Sequence, residues 1–152
     1  MKSRIVTAII LILPFILLLV VGCADQSTDP VTSSEQLRFS TDRTSYAASD
    51  TIRLSLDNNS QSDITVGLRC GWYLEMFYQK RENEVWSGDL WFPYMSLRCM
   101  SIPETVSMNT AFGHSLPAEI FYSTGTFRLT VTVNLERTDT SLRVASNSFE
   151  IR

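Results

Sequence analysis

The sequence predicts an all-β domain: one antiparallel β-sandwich of about seven strands over residues 37–152, behind an apolar leader and a polar tether. Three observations carry this. Apolar and polar residues alternate in Thr51–Leu56 and in Phe127–Val133, the period of two that turns one face of a strand to a core. Turn chemistry recurs between such runs, at Asp57-Asn58-Asn59-Ser60, Ser87-Gly88-Asp89, Ser123-Thr124-Gly125 and Thr138-Asp139-Thr140, where Asn, Asp, Ser and Gly tolerate or stabilise reversal. No stretch combines a helical period with caps. Short strands at this spacing in a chain of this length favour a sandwich.

Taken in chain order, the leader comes first. Lys2 and Arg4 precede a 17-residue run, Ile5 to Val21, that is apolar but for Thr7 and is interrupted by Pro14. A helix needs ~20 such residues to span a bilayer comfortably, and the proline suits a peptide destined for removal better than a spanning helix. The run ends Leu19-Val20-Val21-Gly22-Cys23, the order of a bacterial lipoprotein signal, with a small residue before the cut and cysteine after it. Residues 1–22 are therefore expected to be cleaved and Cys23 to carry acyl chains. An uncleaved N-terminal anchor is the alternative. Each buried methylene contributes ~0.8 kcal/mol, so two or three chains hold a protein at a membrane permanently. Ala24 follows the cysteine and Asp25 stands one place too late for an inner-membrane retention signal. The expected location is the bacterial cell envelope, at the outer membrane (its periplasmic or surface face) in a host with two membranes.

Residues 24–36, ADQSTDPVTSSEQ, are polar and nearly free of apolar side chains, so residues 23–36 read as a lipidated cysteine and flexible tether. From Cys23 on, 11 basic residues face 16 acidic ones, a formal charge of −5. That balance excludes nucleic acid as a partner class and a basic patch for anionic headgroups.

Beyond the two clear strands, Val106, Met108, Thr110 and Phe112 form a weaker alternation. The closing strand changes phase between Val144 and Phe149, which predicts a bulge near Ser146-Asn147. Residues 72–80 read as one strand with Trp72, Leu74, Met76 and Tyr78 on one face and Tyr73, Glu75, Phe77 and Gln79 on the other. Cys70 and Cys99, 29 positions apart, remain once Cys23 is lipidated. In an oxidising compartment an even pair reads as a disulfide, and closing such a loop is worth roughly 3–4 kcal/mol in the chain-entropy picture.

The pattern Tyr46, Asp50-Thr51-Ile52, Leu56-Asp57-Asn58, Cys70, Leu74-Glu75, Trp86 and Cys99 resembles a group of bacterial lipoproteins with an Ig-like domain. The segments Gly125-Thr126-Phe127-Arg128-Leu129 and Ser146-Asn147-Ser148-Phe149-Glu150-Ile151 resemble the same group, which usually has Tyr where Phe127 stands. The domain type is similar to the intracellular-proteinase-inhibitor-like fold. The resemblance implies an Ig-like or fibronectin-like sandwich; the matched residues have packing and turn roles, so it transfers little function.

Half of the chain's 16 aromatic residues lie between Trp72 and Tyr94. Tyr73, Phe77, Trp91, Phe92 and Tyr94 are the candidate binding surface, since Tyr and Trp combine large apolar area with a polar tip. In the competing reading the Trp91-Phe92-Pro93-Tyr94 segment folds back as a cover for the sheet. Catalytic constellations are weak. His114 and Ser115 are neighbours that a strand would point to opposite faces, and Pro117 replaces the second glycine of a nucleophile elbow. Glu82 and Glu84 flank an expected hairpin turn, Gln79 to Glu84, and as a glycosidase pair they lack a cleft signature. Asp57, Asn59 and Asp63 suggest a calcium loop, but Ser62 and Leu68 stand where glycine and the bidentate glutamate belong. One histidine and two cysteines are too few ligands for zinc. With no phosphate loop, HExxH or redox CxxC, neither an enzyme nor a bound cofactor or metal is expected. The expected function is a lipid-anchored interaction module, with a protein in the envelope as partner. An envelope proteinase inhibitor and a carbohydrate-binding module are the alternatives.

Overall fold

The computed structural model describes residues 31–32, 36–136 and 140–152. The expected signal over residues 1–22, Cys23, and most of the expected tether lie outside the described residues.

Fourteen extended segments follow one another among the described residues: β1 (Val31–Thr32), β2 (Leu37–Thr41), β3 (Ser45–Tyr46), β4 (Thr51–Asn58), β5 (Ile64–Arg69), β6 (Tyr73–Leu74), β7 (Met76–Glu82), β8 (Val85–Trp86), β9 (Leu90–Trp91), β10 (Ser101–Val106), β11 (Thr110–Pro117), β12 (Gly125–Leu135), β13 (Thr140–Ala145) and β14 (Phe149–Ile151). Two 3-10 turns, Pro93–Ser96 and Ala118–Phe121, are the only helical segments described. β11, β4 and β2 form a small antiparallel sheet in that order. The large sheet is built on β12. One edge of β12 takes β13 and β14, and the other takes β7 and β5, with β10 beyond β5. β3 and β1 join in parallel, beside β14 and β13. Thus Val31–Thr32, inside the expected tether, add an edge strand. The chain builds β2 and β4 in one sheet, crosses for β5 to β10, returns for β11 and closes with β12 to β14 in the large sheet. This is the Greek-key crossing of an Ig-like sandwich.

The two clear alternations are the innermost strands of their sheets. Ile52, Leu54 and Leu56 of β4 face Phe127, Leu129, Val131 and Val133 of β12 across one core, all nearly or fully excluded from solvent. Burying each such side chain contributes ~1.5–3 kcal/mol. Between the pairs Thr130↔Ala145 and Phe127↔Phe149, two residues of β12 face three of the partner. That one-residue excess is a bulge, placed where the phase change predicts it. Ser146 fills it, its Oγ accepting from Leu129 N at 2.9 Å.

Two expected strands divide. Residues 106–112 are not one strand: Val106 ends β10 in the large sheet, Phe112 lies in β11 in the small one, and Ser107-Met108-Asn109 turn between them. Both ends point at the same core from opposite sides, so a period of two survives a change of sheet. Residues 72–80 break at Glu75, where the chain exchanges partners. Leu74 pairs back to Leu68, and Met76 pairs with Val131. Leu74 and Met76 are buried and Tyr78 packs on the core as expected, but Trp72 is 78% exposed in a turn.

Asn58, at the end of β4, is fully buried. Its Nδ2 donates to Val106 O at 2.9 Å and Ser62 O at 3.0 Å. Its Oδ1 accepts from Ser60 N and Oγ, and its carbonyl accepts from Asn109 N. The two sheet-crossing turns are therefore tied through one amide. Replacing Asn58 by alanine strands buried carbonyls and is expected to cost roughly 2–4 kcal/mol in urea melts; a loss below ~1 kcal/mol would show the tie to be dispensable.

Candidate interaction surface

Because β5 leaves β12 after Thr65 while β7 takes its place, the β5–β6 hairpin projects from the large sheet. Its tip is tight: Cys70 and Gly71 both have positive φ, 56° and 76°. Gly71 N donates to Leu68 O and Trp72 N to Arg69 O. A Cβ on Gly71 would lie 3.2 Å from Ile102 Cδ1 in an already left-handed backbone, which glycine alone adopts without strain. The Cys70–Cys99 disulfide, with Cα atoms 5.2 Å apart, bonds this tip to the segment entering β10. Cys70 N donates to Met100 O, and the Arg69 guanidinium donates to Leu97 O. Around the bridge stand four large apolar side chains turned to solvent, Met100 (82% exposed), Trp72 (78%), Ile102 (51%) and Leu97 (42%).

The five expected surface residues divide into separate groups. Tyr73 stacks on Tyr94 at 5.0 Å, while Phe77 meets Trp91 edge-on at 5.1 Å and lies under the Arg143 guanidinium. Trp91 is 63% exposed and Tyr73 43%. Phe92 and Tyr94 are core residues, with Phe92 fully buried against Tyr78 and Phe121. The expectation that Phe92 and Tyr94 belong to an exposed surface is thereby corrected. A strand alternates, so when Trp91 takes the outer face of β9 its neighbour Phe92 must turn into the sandwich. The Tyr94 hydroxyl donates to Leu74 O at 3.0 Å, and burial, reinforced by the Glu75 charge, pushes that phenol well above its ordinary value.

A polar arrangement that sequence reasoning missed lies over the outer face of β12. Asp89, in the β8–β9 connection, pairs with Arg143 and accepts from Gln79 Nε2 at 3.0 Å. Gln79 Oε1 in turn accepts from Arg128 Nε at 2.6 Å, and Arg143 donates to the fully buried Thr130 hydroxyl. Arg128 also lies over the Trp86 ring at 4.5 Å. Only Ser87-Gly88-Asp89 signalled anything in the sequence, and as a turn; its partners are 10 to 54 positions away.

His114 sits on the inner side of β11, parallel to Phe112 at 6.5 Å, and burial lowers its pKa below the ordinary value. Ser115 is on the exposed side. A cavity of about 280 Å³ lies beside this strand, lined by Tyr73, Pro93, Tyr94, His114, Leu116 and Ile120 among others. Asn83 and Glu84, both with positive φ, make the two-residue turn between Glu82 and Val85, with Glu84 paired to Arg81. Of the calcium-loop residues, Asp63 accepts from Met108 N and Asp57 from the Ser55 hydroxyl.

No protein-family model matches this chain, and no curated protein sequence does. Among solved structures it is similar to a bacterial immunoglobulin-like domain from the M. primoryensis ice-binding adhesin. The identity is 10% and the TM-score 0.36, over 75% of this chain and 94% of that one. The Ig-like assignment rests on the strand connectivity described above.

Two outcomes follow from these placements. Phe92→Ala is expected to cost ~3–5 kcal/mol in denaturant melts by opening a core cavity, and Trp91→Ala less than ~1.5 kcal/mol. Similar losses for both would show Trp91 to be core as well. The second concerns His114, whose folded pKa lies below the ordinary 6.5. Its contribution is complete above that unfolded value and is lost as pH falls through the folded one, because the unfolded chain takes up the proton first. The fall in Tm between pH 8 and pH 5 is therefore expected to be smaller for His114→Gln than for wild type; an unchanged fall would place the imidazole in water.

Proposed function

We propose that this protein is a lipid-anchored Ig-like module of a bacterial cell envelope that captures a protein partner through the apolar tip at the Cys70–Cys99 bridge. The observation that carries the reading is the tip itself: four exposed apolar side chains on a backbone held by a disulfide and by left-handed turn residues. Contiguous exposed apolar surface on a soluble domain marks a contact site. Rigidity matters because immobilising rotamer-rich side chains and loops on binding costs affinity. Trp72 is the natural anchor, since aromatic side chains dominate interface energetics. The order Leu19-Val20-Val21-Gly22-Cys23 supports the lipid anchor.

The test is photo-crosslinking in cells from position 100 or 72 of the full-length protein. A discrete protein adduct, lost in Trp72→Ala while the domain keeps its Tm, is expected; adducts to lipid alone, or none from a folded domain, would overturn the reading. Cys23→Ser is expected to move the protein from the membrane fraction to the soluble fraction or to retain the uncleaved precursor; mature protein still in the membrane fraction would remove the lipid anchor.

One observation favours a second reading. Ser96-Leu97-Arg98 form an exposed segment immediately before Cys99, with Leu97 in extended backbone. An exposed segment clamped beside a disulfide, as this one is at the end of the 3-10 turn, is what a proteinase inhibitor presents to an active site. Slowed hydrolysis in a proteinase panel, relieved by Arg98→Ala, would support it; unaffected rates at micromolar protein would remove it.

A further inference from the structure

The small sheet ends in an open edge. β11 pairs with β4 on one side, and no described strand pairs with the other. Ala118 N donates to Asp50 O and Asp42 N to Arg53 O, continuing the ladders on the two sides of β4. In antiparallel ladders hydrogen-bonded and non-bonded pairs alternate. From Phe112 on, the even-numbered residues of β11 therefore turn their amides to β4, whereas Thr110 N donates to Ser107 O; Ala111, Gly113 and Ser115 turn theirs away from the sheet. All three are exposed. The strand, TAFGHSLP, holds no charged residue, and its one proline is at its end. Natural edges are normally guarded by charge, proline or a bulge. The β10 edge carries Pro103 and Glu104, and β2 carries Arg38; β11 carries only Pro117, its last residue, and is unguarded from Thr110 to Leu116.

We propose that β11 pairs antiparallel with β11 of a second copy of this chain, about a twofold axis at Gly113, joining two small sheets into one. In this register Ala111 faces Ser115 and Gly113 faces Gly113, so the outward amides meet each other in roughly six backbone hydrogen bonds. Phe112 faces the partner's His114 on the inner side, an aromatic pair made twice by symmetry. Pro117, which lacks an N–H, falls opposite the partner's Asn109, outside the ladder. The contact is isologous and closes on itself. Because the strand is uncharged, two copies of an acidic protein meet there without like charges opposed. An edge contact of this kind is small beside the ~1,200 Å² that stable complexes bury in total, so the dimer is weak and depends on local concentration. This inference is independent of partner capture at the disulfide tip.

Two measurements on the full-length protein in detergent or native membranes test it. With Gly113→Cys, a short thiol crosslinker is expected to give a band at twice the chain mass, and Arg53→Cys in the middle of the same sheet is expected to give none. Equal bands at both positions, or none at 113, would overturn the proposal. In sedimentation, wild type is expected to show a concentration-dependent dimer that Gly113→Lys weakens at least tenfold by opposing two charges on the axis. A Gly113→Lys protein that keeps its far-UV spectrum and self-associates like wild type would equally overturn it.

Discussion

The large sheet is organised by the burial of β12. Its inner side chains Phe127, Leu129, Val131 and Val133 are fully excluded from solvent, as is Thr130 on the opposite face, where Thr132 and Asn134 are exposed. A strand at the centre of a core needs partners on both edges, since its N–H and C=O groups have little water to turn to. Neither edge of β12 is met by one continuous strand. On one side the partner changes from β13 to β14 through the Ser146 bulge, and on the other from β5 to β7. The second exchange happens by a chain that doubles back, and the hairpin it throws out is the tip that carries Trp72. An exposed hairpin is thus a consequence of satisfying a buried strand.

Two devices keep the projecting parts ordered where no core supports them. The disulfide fastens the β5–β6 tip to the start of β10, limiting the ensemble available to the unfolded chain. Over the outer face of β12, Asp89 gathers Arg143 and Gln79, and through Gln79 also Arg128. Partly buried charges are costly unless paired and hydrogen-bonded; here Asp89 and Arg143 pair with each other and each has a further hydrogen bond, while Arg128 bonds Gln79 and lies over the Trp86 ring. That closure ties β7, β12, β13 and the β8–β9 connection together across the outer face.

Legibility varied with the range of the cause. The alternations of β4 and β12 and the bulge near Ser146 could be read because each is written in adjacent residues; the turn expected over residues 79–84 narrows to Asn83-Glu84, since β7 runs on to Glu82. The Val106–Phe112 alternation misled for a physical reason: in a sandwich both sheets face one core, so a chain can change sheets without breaking phase. Phe92 was misplaced because eight aromatic residues in one stretch suit a surface or a core equally well. The Asp89 cluster was invisible, since its members come from β7, β12, β13 and a loop and no local spacing joins them.

By itself the sequence determined the all-β class, the buried faces of the two central strands and the cysteine pairing, because period, turn chemistry and the parity of cysteines are local or compositional. Only the tertiary structure decided which aromatics reach solvent, that one strand would split at Glu75, and that β11 would end the small sheet among the described residues. Those outcomes depend on which strands compete for the two edges of β12, and that competition is settled among residues distant in the chain.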